Sequence, residues 1–231
     1  MKTLGVIGGM SWESSAVYYR LINQGVAARA GGLHSAPLLL HSLDFAAIAA
    51  AQAAGDWAGL AAQLGTAAQG LVRAGAGAVL LATNTMHKLA PAVQAAAGVP
   101  LLHIADATGA ALQAAGITRA GLLGTRFTMD DPAIVQDRLR LNFGVSTLLP
   151  DAPGRAEVHR VIYEELCRGR IEDRSRVAYQ QQIAALQAAG AQAIILGCTE
   201  IGLLIEPQHS PLPAFDTTSL HAAAAVDWIC S

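Results

Sequence analysis

Two positions in this chain combine a proton-carrying side chain with a place where such a group could work. The segment Ala193–Glu200, AIILGCTE, is an apolar run that stops at Gly197 and leaves Cys198 at the head of an expected helix. There the helix dipole and unpaired backbone N–H groups would stabilise the thiolate, lowering the thiol pKa from about 8.5 toward neutrality and making it a base or a nucleophile. The amides of Thr199 and Glu200, with the Thr199 hydroxyl, could hold a carboxylate close by. An earlier segment, Ala78–Thr85, AVLLATNT, follows the same Ala-Gly-Ala lead, and Thr83 stands in it where Cys198 stands in the other, 115 positions on. Asn84 and Thr85 offer amides and polar side chains in the same pose. The plainer reading of Cys198 is a small buried hydrophobe, the fate of most free cysteines. The polar pair Thr199-Glu200 is out of place after a strand headed for a core and weighs toward chemistry.

Other candidates are weaker. Thr125 and Thr128, within GTRFT, follow another apolar run and could cradle a carboxylate or phosphate or simply cap a helix. His87 could polarise a cleft or sit on a solvated helix face. Gly5, Gly8 and Gly9 do not form a dinucleotide fingerprint, and no GxSxG elbow is present. The seven histidines lack close HxH or HxxxH spacing, so no metal site is expected. Cys167 and Cys230 fall in helical stretches and read as packing residues.

The elements that would position these groups alternate. Thr3–Ile7 reads as a strand, Gly8-Gly9 as a turn, and Ser11 as the cap of a helix through Ile22. Pro37–Ser42 is a strand, Phe45–Ala54 a helix, and Asp56 caps a helix ending near Gly75. Strand Ala78–Ala82, helix Met86–Ala97 and strand Pro100–Ile104 complete the first half. In the second half, helix Asp106–Ala115, strand Ala120–Gly124, helix Asp131–Leu141 and strand Val145–Leu149 precede a loop over Pro150–Gly154. Helices Arg155–Cys167 and Asp173–Ala189 lead to the strand ending at Cys198, and Leu212–Phe215 with helix Thr217–Ile229 closes the chain. LGVIGG at Leu4–Gly9 is echoed 116 positions later by AGLLGT at Ala120–Thr125. The expected fold class is α/β: two pseudo-twofold-related domains, each a parallel sheet with helices on both faces, with the site in the cleft between them. Residues 1–104 plus 213–231 would form one domain and 105–212 the other.

Composition narrows the partner. The 231 residues are 53% apolar, with a net charge of −2 and no cluster of Lys or Arg. A small-molecule ligand is expected, and neither a nucleic acid nor a membrane surface. The start has no secretory character, and the three cysteines suggest free thiols, so a cytoplasmic setting is expected.

Three separated stretches, GVIGGMSWESSAVYYRLIN, ATNTMHKLA and GCTEIGLL, resemble motifs of the aspartate/glutamate racemase family, and the resemblance spans the duplicated halves. It implies a homodimeric amino-acid racemase that needs neither pyridoxal phosphate nor metal. One thiolate would remove the α-proton of a bound amino acid and a thiol on the opposite face would return one. The family's first catalytic cysteine falls here on Thr83, as in a subgroup of the family. A hydroxyl cannot be an alkoxide at neutral pH, so Cys198 would deprotonate L-aspartate or L-glutamate while D-isomers turn over poorly. Met10, Gln52, Asn84, Thr85, Thr125 and Thr199 are the substrate contacts that the resemblance suggests, with the Met10 loop closing over the ligand. Gln52 replaces an arginine common in aspartate-specific relatives, and Arg168 or Arg170 could hold the distal carboxylate instead. A single second-half cysteine would also suit an arylmalonate-type decarboxylase. A third reading is a non-catalytic amino-acid binding protein.

Overall fold

The computed structural model describes residues 1–231. They form two compact units, Met1–His103 with His221–Ser231, and Ile104–Leu220.

The first unit contains β1 (Leu4–Gly8), α1 (Trp12–Ala30), β2 (Leu38–Ser42), α2 (Phe45–Ala54), α3 (Trp57–Arg73), β3 (Ala78–Leu81), α4 (Ala90–Ala97) and β4 (Leu101–Leu102). Its four strands are parallel in the order β2-β1-β3-β4. The second unit contains α5 (Ile104–Ala114), β5 (Arg119–Gly124), α6 (Arg126–Asp130), α7 (Gln136–Phe143), β6 (Ser146–Leu148), α8 (Ala152–Glu164), α9 (Asp173–Ala188), β7 (Ala193–Gly197), α10 (Ile201–Leu204) and β8 (Ala214–Asp216). Its sheet runs β6-β5-β7-β8, again all parallel. The two sheets therefore share one topology, with the first strand of each pairing to both the second and the third. Helix α11 (Thr217–Cys230) begins in the second unit and ends in the first.

The central strands β1, β3 and β7 are buried along their whole length, as expected of parallel strands covered on both faces. Alternation along them divides the interior of each unit into two layers. Val79 and Leu81 join the core that includes Leu60, Leu64 and Val93. Ala78, Leu80 and Ala82 pack with Tyr18, Ile22 and Val226 on the other side. In the second unit Ile194, Leu196 and Cys198 face Val158, Ile162, Tyr179 and Ile183. Ala193 and Ile195 face Leu112, Leu139 and Val145. A side chain at a strand end is thus assigned to one helical layer by its parity, and Cys198 belongs to the α8/α9 layer.

Local chemistry sets the helix ends. Ser11 caps α1 by accepting from the Ser14 amide, and Asp56 caps α3 by accepting from the Gly59 amide at 2.8 Å. Gly9 must be glycine: its φ is +83°, and an added Cβ would lie 2.1 Å from the Leu43 carbonyl oxygen.

Several expectations need correcting. The helix expected over Met86–Ala97 divides into a 3₁₀ turn at Thr85–Leu89 and α4, because Pro91 stands in the first turn of α4 and starts a new helix. The stretch Pro150–Gly154, expected as a loop, already holds the first turn of α8, capped by Asp151 onto the Gly154 amide. Helix α6 is not among the elements expected, though Thr125 was a possible cap and does cap it, and α7 starts at Gln136 rather than Asp131. The return to the first unit, expected at residue 213, comes at His221, because β8 pairs with β7 and keeps residues 214–216 in the second sheet. No helix is long and apolar enough to cross a membrane.

Candidate active site

In the first unit β3 ends at Leu81, and the chain turns tightly, the Thr83 amide donating to the Leu81 carbonyl at 2.8 Å. The Ser14 hydroxyl holds the Ala82 carbonyl at 3.1 Å. Thr83, Asn84 and Thr85 follow, all buried. His87 donates from Nδ1 to the Thr83 carbonyl at 2.8 Å, since a carbonyl can only accept. This fixes the ring and, through it, the backbone at Thr83. The His87 ring is buried, with the His103 ring 4.5 Å away and the His221 ring 5.5 Å away, centroid to centroid. Burial first, and then the two neighbouring imidazoles, push its pKa well below the ordinary histidine value, so His87 is neutral. The solvated helix face considered for it does not exist. His221 is fixed in turn: Nε2 donates to the Leu102 carbonyl at 2.9 Å, leaving Nδ1 to accept from the Tyr18 hydroxyl at 2.9 Å.

In the second unit Gly124 and Gly197 pair at the ends of β5 and β7. A Cβ on Gly197 would lie 2.7 Å from Leu122 Cδ1 and 3.0 Å from the Leu123 carbonyl oxygen, so glycine is what lets these strands end together. Thr125 and Cys198 each follow directly. Thr125 caps α6, accepting from the Thr128 amide at 3.3 Å. Cys198 is 8% exposed, and its thiol donates to Glu200 Oε2 at 3.0 Å. The Thr199 hydroxyl donates to the same oxygen at 2.5 Å.

The resting thiol is the reverse of what the segment suggested. Burial raises the Cys198 pKa well above the ordinary thiol value, and the Glu200 charge and Cys167 raise it further. The expected long helix is the four-residue α10, which begins only at Ile201, and one turn sums too few peptide dipoles to oppose desolvation. Cys198 is therefore a protonated thiol next to a buried carboxylate.

The remaining candidates divide between the units. Met10 packs in a core with Ile7 and Ile48, and Gln52 is buried one turn after Ile48 on α2. Thr199 is half-buried beside Cys198. Arg168 is exposed, in a 3₁₀ turn over Leu166–Arg168. That turn is anchored by the buried Glu165 carboxylate, which accepts from Ser175 Oγ at 2.5 Å and Arg160 Nη1 at 2.9 Å. Arg170 donates to the Glu164 carbonyl at 2.5 Å and serves as a helix-end cation.

Glu200 is the residue that the motif reading passed over as a side chain. Its signal was only that a carboxylate stands two places after the cysteine, and spacing does not show that it turns back onto sulfur. Cys167, expected as packing, is also hydrogen-bonded to Glu200, and Tyr163 lies near both Cys198 and Glu200.

Comparison with known proteins agrees with this architecture. A Yersinia pestis protein of known crystal structure, provisionally assigned as an Asp/Glu racemase, is 51% identical, superposes with a TM-score of 0.93, and is covered completely, as is this chain. An aspartate racemase homologue from Pyrococcus horikoshii OT3 is 28% identical, with a TM-score of 0.84 over all of both chains. Aspartate racemase from Picrophilus torridus shares the fold at 18% identity, with a TM-score of 0.78 over 100% of this chain and 95% of that one. The sequence profile of the family described as Asp/Glu/Hydantoin racemase matches residues 7–225, almost the full length. With paired α/β units of one topology, each presenting a polar strand end, this chain belongs to the Asp/Glu/Hydantoin racemase family and is an isomerase of the racemase class.

Proposed function

We propose that this racemase acts on the acidic amino acids aspartate and glutamate without a cofactor, and that it works chiefly on the L-isomers. The observation that carries the reading is the inequality of the two strand ends: a thiol beside a carboxylate after β7, and a hydroxyl after β3. Abstracting an α-proton requires a base that can exist at neutral pH. Sulfur meets this condition once its proton has left, and an alcohol does not. Cys198 is the base for the L-isomer. Thr83 returns a proton to the opposite face, through its hydroxyl or a water, and cannot start the reverse reaction efficiently. The enantiomers are equal in free energy, so kcat/KM for inversion is the same in both directions, and the one-sidedness belongs to Cα exchange: fast from L, where the same sulfur can return the proton, with inversion slow either way.

The backbone amides and side chains of Asn84, Thr85, Thr125 and Thr199 are assigned to the substrate, with Met10 and Gln52 completing its surroundings. Arg168, exposed and on an anchored turn, is the proposed contact for the distal carboxylate. Donors aimed at the α-carboxylate would stabilise it as it gains enolate character.

The test is Cα hydrogen exchange in heavy water, followed by NMR for each enantiomer over a panel of acidic and neutral amino acids. L-aspartate or L-glutamate should exchange fastest, the D-isomers slowly, and Cys198→Ser should abolish exchange from L. D-isomers exchanging as fast as L would remove the assignment, and carbon dioxide release from a disubstituted malonate would favour a decarboxylase.

A further inference from the structure

The first turn of α11 carries three hydroxyls, and two of them are committed. Thr217 Oγ1 donates to the Leu196 carbonyl at 2.8 Å, and Ser219 Oγ donates to Asp216 Oδ2 at 2.5 Å. Thr218, between them, is 1% exposed, and its hydroxyl has no hydrogen-bond partner. We propose that this hydroxyl is a further substrate contact, accepting from the α-ammonium group of the amino acid that Cys198 deprotonates. The proposal rests on the amino-acid reading above.

The position follows from the sheet. Strands β7 and β8 are parallel, with Leu196 opposite Asp216 as their last paired residues. Cys198 and Thr218 each stand two places further on, at the ends of neighbouring strands whose axes lie about 5 Å apart. The Thr217 bond to the Leu196 carbonyl ties the two ends together just before those residues. The segment after Cys198 also meets the start of α11, since a Cβ on Gly202 would lie 3.9 Å from the Asp216 carboxylate carbon. Thr218 is thus buried beside the end of β7, in the same unit as the sulfur.

A hydroxyl inside a helix ordinarily bonds the carbonyl one turn back. The chain holds that case as well. PLLHIADAT at Pro100–Thr108 parallels the shorter PLPAFDTT at Pro211–Thr218, and there Thr108 donates to the Ile104 carbonyl at 2.9 Å. Thr218 has no such outlet, because it is the second residue of α11 and Ala214, four places back, lies in extended β8. His221, one turn on, has both ring nitrogens committed, to the Leu102 carbonyl and the Tyr18 hydroxyl. A hydroxyl buried and unpaired destabilises the free protein, and valine would fill the same space without that cost. A ligand that supplies the missing partner removes it.

Charge selects the ligand atom. The Asp216 carboxylate already takes the Thr218 and Ser219 amides, so a further anion at this helix start would be repelled and a cation attracted. The ammonium is the cationic group of an acidic amino acid. Backbone amides and Arg168, assigned above to the substrate, only donate and cannot serve it.

The experiment compares wild type with Thr218→Val and Thr218→Ser. Cα exchange of L-aspartate in heavy water gives KM and kcat. Protection of Cys198 from iodoacetamide, read by peptide mass spectrometry, gives the affinity for L-aspartate and for L-malate, which carries a hydroxyl in place of the ammonium. In Thr218→Val the KM for L-aspartate should rise about tenfold or more with kcat within about threefold, because an ammonium contact is made equally before and during proton transfer. Its preference for L-aspartate over L-malate should fall by the same factor, Thr218→Ser should keep both values near wild type, and without ligand the valine variant should melt no lower than wild type. An unchanged KM in Thr218→Val, an equal loss of L-aspartate and L-malate binding, or a Tm lowered by more than about 2 °C overturns the proposal. If wild type exchanges no amino acid while L-aspartate still protects Cys198, the racemase substrate reading fails alone, since protection decides the role of Thr218. Protection by neither ligand in wild type overturns both.

Discussion

Lowering the pH should strip stability from this protein through one histidine before any carboxylate is titrated. His87 is buried and neutral, its Nδ1 committed to the Thr83 carbonyl and two further imidazoles within 5.5 Å, so a proton added in the folded state would be neither solvated nor tolerated by its neighbours. In the unfolded chain the same ring titrates at about 6.5. The folded pKa lies well below this, so between the two values the unfolded state binds one more proton, and stability present above pH 6.5 is lost as the pH falls. The loss is about 1.4 kcal/mol per pH unit, or about 2 kcal/mol between pH 6.5 and pH 5. Other groups titrate in the same window, so the measurement is a difference. Urea unfolding of wild type and His87→Asn, which retains a donor toward Thr83 and cannot ionise, should be followed across this range. The variant should start less stable, because the smaller side chain leaves a void, and should lose about 2 kcal/mol less on acidification. Parallel pH curves for the two proteins would refute the reasoning.

Two further outcomes follow from the same unit. Tyr18→Phe removes the hydrogen bond to His221 Nδ1 in a fully buried setting and should cost about 2 kcal/mol, seen calorimetrically as a fall in Tm of roughly 4–8 °C; a fall of less than about 1 °C would show that the lone pair finds another donor. Thr83→Cys supplies the thiol that the β3 end lacks and should raise Cα exchange of D-glutamate or D-aspartate by at least about tenfold in heavy water, an unchanged D-isomer rate being the contrary result.

How far the residues alone disclosed the fold depended on burial. Strands such as Ala193–Gly197 were legible because a parallel strand covered on both faces has to be an unbroken apolar run, and helices such as Trp57–Arg73 because Asp56 caps the start and Leu60, Leu64 and Leu71 recur at helical spacing. Short elements escaped. Arg126–Asp130 is a single capped turn with no apolar period to read, and α4 restarts at Pro91 inside what looks like one helix. The placement of Thr83 and Cys198 just after strand ends was legible, and the electrostatics around them were not. GCTEIGLL reads as the start of a helix that would stabilise a thiolate, but four residues are helical and Cys198 is buried against a carboxylate. The solvated face offered as one reading of His87 fails for a similar reason: exposure is decided by distant residues, here His103 and His221, that local spacing does not place.

The last helix carries a consequence for how the protein is made. Residues Ala222, Ala225, Val226 and Ile229 of α11 complete the layer that covers Tyr18 and Ile22, and the Ile229 carbonyl accepts from the Lys2 amide. The strands and helices of Met1–His103 thus wait for the later-made α11 before their interior is closed, while Ile104–Leu220 contains every strand of its own sheet. Maturation should therefore run against the direction of synthesis: the later-made unit can consolidate first, and the earlier one remains open on one side until α11 has been made.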